Sequence, residues 1–135
     1  MSKQITGECL CGRVKFSLTH KFRDFYQCHC KQCQQLTGSA FAANLLTALD
    51  NIEWVSGSEE VTNYEHPTRV FSKSFCSVCG SALPFINKTR TALVIPAGSL
   101  NERPDIDPQA NIFKSEEAHW LKIGLEAKSF SGFSE

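Results

Sequence analysis

Seven cysteines stand in three short groups: Cys9 and Cys11 around one residue, Cys28, Cys30 and Cys33 in a C-x-C-x-x-C run, and Cys76 and Cys79 around two residues. Thiolates at such spacings suit a soft metal ion. Structural zinc takes four of them in a tetrahedron, whereas catalytic zinc takes three protein ligands and leaves the fourth place to water or substrate. The middle group is the only local triple, and setting it aside leaves Cys9, Cys11, Cys76 and Cys79 as a complete four-sulfur set. Seven therefore divides into four plus three with no cysteine unused, although other groupings remain sterically open. Two zinc ions per chain are expected: a closed, structural one on Cys9, Cys11, Cys76 and Cys79, and an open, catalytic one on Cys28, Cys30 and Cys33.

The spacings agree with this division. Residues i and i+2 of an extended segment point to the same side, so C-x-C presents two sulfurs together. The stretch from Cys76 to Gly80 reads as a zinc knuckle whose glycine permits a left-handed turn, and Gly12 follows Cys11 in the same way. Cys30 and Cys33 are neighbours on one face if the chain turns helically there. His29 lies between two expected ligands, but alternation turns it away from the metal, either beside the site or toward solvent. His20, His66 and His119 have no ligand-like neighbours and read as ordinary surface or core histidines. Four cysteines also suit iron, but rubredoxin-like sites generally pair two C-x-x-C knuckles, and only one such knuckle stands in this four-sulfur set.

Three thiolates on Zn²⁺ leave a net negative charge, so such a centre acidifies water poorly. It remains a soft centre suited to a fourth thiolate. A metal-bound thiol is deprotonated at neutral pH and is then a nucleophile. The open triple therefore points to a thiol substrate that adds to an electrophile. The chain carries no glycine-rich phosphate loop and no other recognisable nucleophile–base pair.

The 135 residues suffice for one domain with a single core. Fourteen Lys and Arg balance fourteen Asp and Glu, which provides neither a basic footprint for nucleic acid nor a field for anionic membranes. Residues 1–10 show no apolar run of a secretory signal, and the longest apolar stretches, 40–46 and 92–96, are too short to span a bilayer. A cytoplasmic protein is expected, with its thiols reduced and available as ligands rather than paired in disulfides.

The elements that must position these thiols read as mainly β. Residues 13–18 (RVKFSL) alternate polar and apolar, and 41–46, 52–55, 61–65, 70–75, 83–86 and 91–95 are further strand candidates. The one helix expected is short, Lys31–Thr37, closed by Gly38. Residues 100–109, with two prolines, read as an irregular connection, and 128–135 as a loosely held tail.

Residues 7–14 (GECLCGRV), 28–41 (CHCKQCQQLTGSAF), 75–83 (FCSVCGSAL) and 97–100 (AGSL) together resemble the glutathione-dependent formaldehyde-activating enzyme family, related to the centromere protein V domain, with the match running in order over about residues 5–121. The resemblance implies a small zinc-containing β-tent fold, with the same partition of cysteines into a closed and a catalytic site. It implies carbon–sulfur lyase chemistry, joining glutathione and formaldehyde into S-hydroxymethylglutathione and reversing it. Residues 111–120 (NIFKSEEAHW) depart from the family's usual pattern: asparagine stands at position 111 in place of histidine, and no proline precedes Trp120. Lys31 and Arg69 are candidate cations for the carboxylates of glutathione. The rival expectation is a zinc-stabilised protein-binding module without catalysis, which has no use for an open coordination position.

Overall fold

A computed structural model of the chain describes residues 3–134. In chain order the elements are β1 (Gln4–Glu8), β2 (Lys15–Thr19), β3 (Asp24–Cys28), α1 (Lys31–Thr37), β4 (Ala42–Thr47), β5 (Glu53–Ser56), β6 (Val61–Glu65) and β7 (Ser72–Cys76), followed by β8 (Ala82–Leu83), β9 (Phe85–Ile86), β10 (Leu93–Pro96), β11 (Ala110–Ile112) and a helical turn, α2 (Leu121–Leu125). They form three sheets, ordered β1-β2-β5, β11-β3-β4-β10-β9 and β6-β7-β8. The fold is mainly β, with one helix of seven residues.

Period-two alternation decides what each face of the five-stranded sheet does. Phe25 of β3, Leu45 of β4, and Leu93 and Ile95 of β10 point into the core, where they meet Ile5, Val14, Phe16 and Leu18 of the first sheet and Leu83 of the third. Phe16 is fully buried, edge-on to Trp54 with ring centroids 5.9 Å apart. Burial of such a side chain contributes about 1.5–3 kcal/mol. The intervening residues, Tyr26 and Cys28 on β3, Asn44 and Leu46 on β4, and Val94 on β10, face a cleft on the opposite side of the same sheet. This explains why β10 reads as a continuous apolar run, since both of its faces are covered.

Strand β6 matches its expected span, and β2, β4, β5, β7 and β10 lie within two residues of theirs. The single strand expected over 83–86 is two strands. Pro84 has no N–H to continue a ladder, and the chain changes sheets there: β8 pairs with β7, β9 with β10. Three strands, β1, β3 and β11, arise where no strand was expected. Helix α1 spans the expected residues; the Cys33 N–H donates to the Cys30 sulfur at its start, and Gly38 closes it at φ 66°. Residues 101–109 hold no strand or helix, and residues 128–134 of the tail are exposed and irregular, its last residue lying outside the described ones. No helix among the described residues is long and apolar enough to cross a membrane.

Candidate metal centres

Cys9 lies just beyond β1 and Cys76 ends β7, so two different sheets deliver the first sulfur set. The sulfurs of Cys9, Cys11, Cys76 and Cys79 all lie within 4.8 Å of one another. Cys9 and Cys11 are 3.6 Å apart and Cys11 and Cys76 3.9 Å. The edge of a tetrahedron with metal–sulfur bonds of about 2.3 Å is about 3.8 Å, whereas a disulfide is about 2.05 Å long. All seven thiols are free. The two turns that carry the set are closed alike: the Gly12 N–H donates to the Cys9 carbonyl and the Gly80 N–H to the Cys76 carbonyl, with both glycines in the left-handed region at φ 79° and 76°. Ser81 ties the turns together, accepting from the Leu10 N–H. Its hydroxyl, 3.2 Å from the Cys79 sulfur, brings that thiol down to about 5.

The second set is Cys28 at the end of β3, Cys30 at the cap of α1 and Cys33 within α1, again with all sulfurs inside 4.8 Å. All three are buried. Burial pushes the Cys28 and Cys33 thiols up, so in the absence of a cation they are held neutral. Cys28 and Cys33 form part of the wall of a cleft of about 430 Å³, within the usual range for a small-molecule site. Its lining is mostly apolar and includes Leu36, Phe41, Phe71, Phe85, Val94 and Ile112. Cys9, Cys11, Cys76 and Cys79 line neither this cleft nor the neighbouring cavity. The expected partition thus leaves one sulfur set outside both of these cavities and puts the other at the edge of the cleft.

The model of the family described as glutathione-dependent formaldehyde-activating enzyme matches residues 4–116. The chain belongs to that family. A solved crystal structure of a Rhodobacter sphaeroides protein is similar in fold, with a TM-score of 0.57 and 22% identity, covering 78% of this chain and 98% of that one. No curated protein matches the chain.

Within this family member, His29 is buried and does not join the sulfur set. Of its two expected placements, solvent exposure is therefore overturned. Parallel pairing of β11 with β3 sets Asn111 beside Gln27 and lets the His29 N–H reach the Ile112 carbonyl. Its Nε2 lies 2.9 Å from Asn111 Oδ1. An amide oxygen only accepts, so Nε2 carries the proton. Nδ1 is buried with no hydrogen-bond partner among the described residues. Asn111, which stands where the resemblance leads one to expect histidine, is thus the acceptor that sets the His29 tautomer.

Neither expected carboxylate-binding cation lines the cleft. Lys31 is exposed on α1, and the Arg69 guanidinium donates to Gln32. Lys73 and Lys88 line it instead. Lysines 73 and 88 were missed because nothing local distinguishes them. Alternation along β7 does separate Lys73 from the buried Ser72, Ser74 and Cys76, but it does not say what lies on the other side.

Proposed function

We propose that the chain is a zinc-dependent carbon–sulfur lyase acting on a thiol adduct of a small electrophile, with glutathione as the thiol and formaldehyde as the electrophile. In this reading Cys9, Cys11, Cys76 and Cys79 hold a structural zinc, and Cys28, Cys30 and Cys33 a catalytic one. Both sets have the donor chemistry for it: soft sulfurs, clustered at metal-binding separations, with no disulfide. The observation that carries the reading is the position of Cys28 and Cys33 in the wall of the cleft.

A zinc ion held by Cys28, Cys30 and Cys33 would supply a soft centre that favours a substrate thiol in its thiolate form. The protein then has three tasks. The three cysteines fix where the substrate sulfur rests. The apolar wall of Phe41, Phe71 and Val94 removes water, so the thiolate is less solvated and more nucleophilic. The cleft also holds the electrophile against that sulfur, replacing a chance encounter by a positioned one. The sulfur adds to the carbonyl carbon, a carbon–sulfur bond forms, and the carbonyl oxygen takes up a proton; the reverse reaction breaks that bond and returns thiol and aldehyde. The Tyr26 hydroxyl lies in the cleft and stays protonated, because the charge of Asp24 pushes its pKa up. Its one proton is donated to Asp24 Oδ1, 3.3 Å away, so it is engaged with that carboxylate.

Cobalt-substituted protein tests the reading. Glutathione should strengthen the sulfur-to-metal charge-transfer band, and oxidised glutathione, with no free thiol, should leave it unchanged. Hemithioacetal formation should exceed the enzyme-free rate and return to it in Cys28→Ser. A spectral change without acceleration would retain the thiol site and discard formaldehyde. No response of either kind would leave the protein-binding module as the better account.

A further inference from the structure

The charged groups of the cleft are all of one sign. Lys73 and Lys88 line it, and no aspartate or glutamate does, although the chain as a whole is neutral. Among the described residues neither ammonium is paired with a carboxylate. The two lysines are nevertheless engaged differently. Lys88 donates to the carbonyls of both His66 and Arg69, which makes it a strap across the β6–β7 loop. Lys73 donates to one carbonyl, that of Leu36. An ammonium has three donors, so Lys73 keeps two for something else.

Its place is also distinctive. Leu36 follows Cys33 by three residues near the C-terminal end of α1, so the ammonium docks on the short helix that carries a sulfur of the open set. A second cavity of about 670 Å³ adjoins the cleft, and the residues common to both are Ser72, Lys73 and Phe85. The Ser72 hydroxyl at this junction is buried and has no hydrogen-bond partner among the described residues. Ser72 and Lys73 are consecutive on β7 and face opposite sides of the strand, so the ammonium stands apart from that hydroxyl; Glu65 and Arg90 line only the second cavity. A cation with spare donors, facing no acid in the cleft, suits an anion.

We propose that Lys73 anchors a carboxylate of the thiol substrate at the junction of the two cavities, so that the site selects thiols carrying a carboxylate, as cysteinyl peptides do, over neutral thiols. This rests on the reading of Cys28, Cys30 and Cys33 as the thiol-binding metal site. Lys31 and Arg69 take no part.

The test is titration of the cobalt-substituted full chain with glutathione, glutathione diethyl ester and 2-mercaptoethanol, read from the charge-transfer band. The unaltered protein should bind glutathione about 10- to 100-fold more tightly than the diester, as a hydrogen bond between charged groups implies. Lys73→Gln should lose that preference while keeping its affinity for 2-mercaptoethanol, and Lys73→Arg should retain most of it. Equal affinities for glutathione and its diester in the unaltered protein would overturn the proposal, and that measurement needs no variant to fold. A Lys73→Gln protein that weakened all three thiols alike would also overturn it, since that is the signature of a lysine serving only the Leu36 carbonyl. If no thiol moved the band in the unaltered protein, the metal site would not bind thiols and the anchor would fall with it. A flat response to Lys73→Gln with glutathione still bound would remove the anchor alone.

Discussion

Replacing one cysteine in each set by serine should have opposite consequences. Cys76 is fully buried at the end of β7, and its sulfur lies 3.9 Å from that of Cys11, so Cys76→Ser opens the four-sulfur set at a fully buried corner. A structural zinc contributes on the order of 10 kcal/mol to folding, and a whole domain is stable by only about 5–15 kcal/mol. Losing most of that contribution should leave Cys76→Ser unfolded or aggregated at room temperature. Cys30→Ser is different for a local reason. The Cys30 sulfur accepts the Cys33 N–H, 3.3 Å away, as the cap of α1, and serine is among the best capping residues. The helix keeps its cap, the cost should stay near 1 kcal/mol, and the melting temperature should fall by about 4 °C for a domain of this size. Circular dichroism melts, with zinc measured by elemental analysis on the same samples, check both variants. Cys30→Ser should retain one zinc and a cooperative transition while its lyase activity disappears. Equal instability of the two variants, or a normally folded Cys76→Ser protein, would refute the division of labour between the sets.

Protein purified without chelator should contain close to two zinc ions per chain by elemental analysis, and iron in their place would refute the assignment of both sites. Acidification should release zinc in two steps. The open set should empty first, because it has three ligands where the closed set has four, and burial holds both Cys28 and Cys33 up; in the closed set the shifts oppose one another, Cys79 down to about 5 and Cys11 up to about 11, so there the ligand count decides. Release of both ions in one step, followed with a chromogenic chelator, would contradict that order. Asn111→Ala removes the acceptor of the buried His29 Nε2–H and should cost about 1 kcal/mol, at the low end for an unsatisfied donor because Asn111 itself is exposed, whereas Asn111→Asp should restore most of it. Thermal melts of the two variants measure the difference.

What the sequence by itself determined is what neighbours along the chain decide. The spacings within residues 9–11, 28–33 and 76–79 decide which neighbouring thiols can face one ion together, because ligand geometry over two or three residues follows from strand alternation and the helical turn. Helix α1 was legible for the same reason, with Gly38 marking its end. Strands β2, β6 and β10 carried their own β-branched or apolar pattern. Strand β1 (QITGE), β3 (DFYQC) and the three-residue β11 did not, since polar residues and a glycine dilute the signal; they are strands because partners complete their ladders, β3 between β4 and β11 and β1 against β2. The same dependence on distant partners governs the site. The tertiary structure alone brings Cys11 to Cys76 across 65 residues and His29 to Asn111 across 82. It likewise decides that Lys73 and Lys88, not Lys31 and Arg69, line the cleft beside Cys28 and Cys33. A lysine looks the same in sequence whether its ammonium meets water or a cavity, and only the packing of one sheet against another tells them apart.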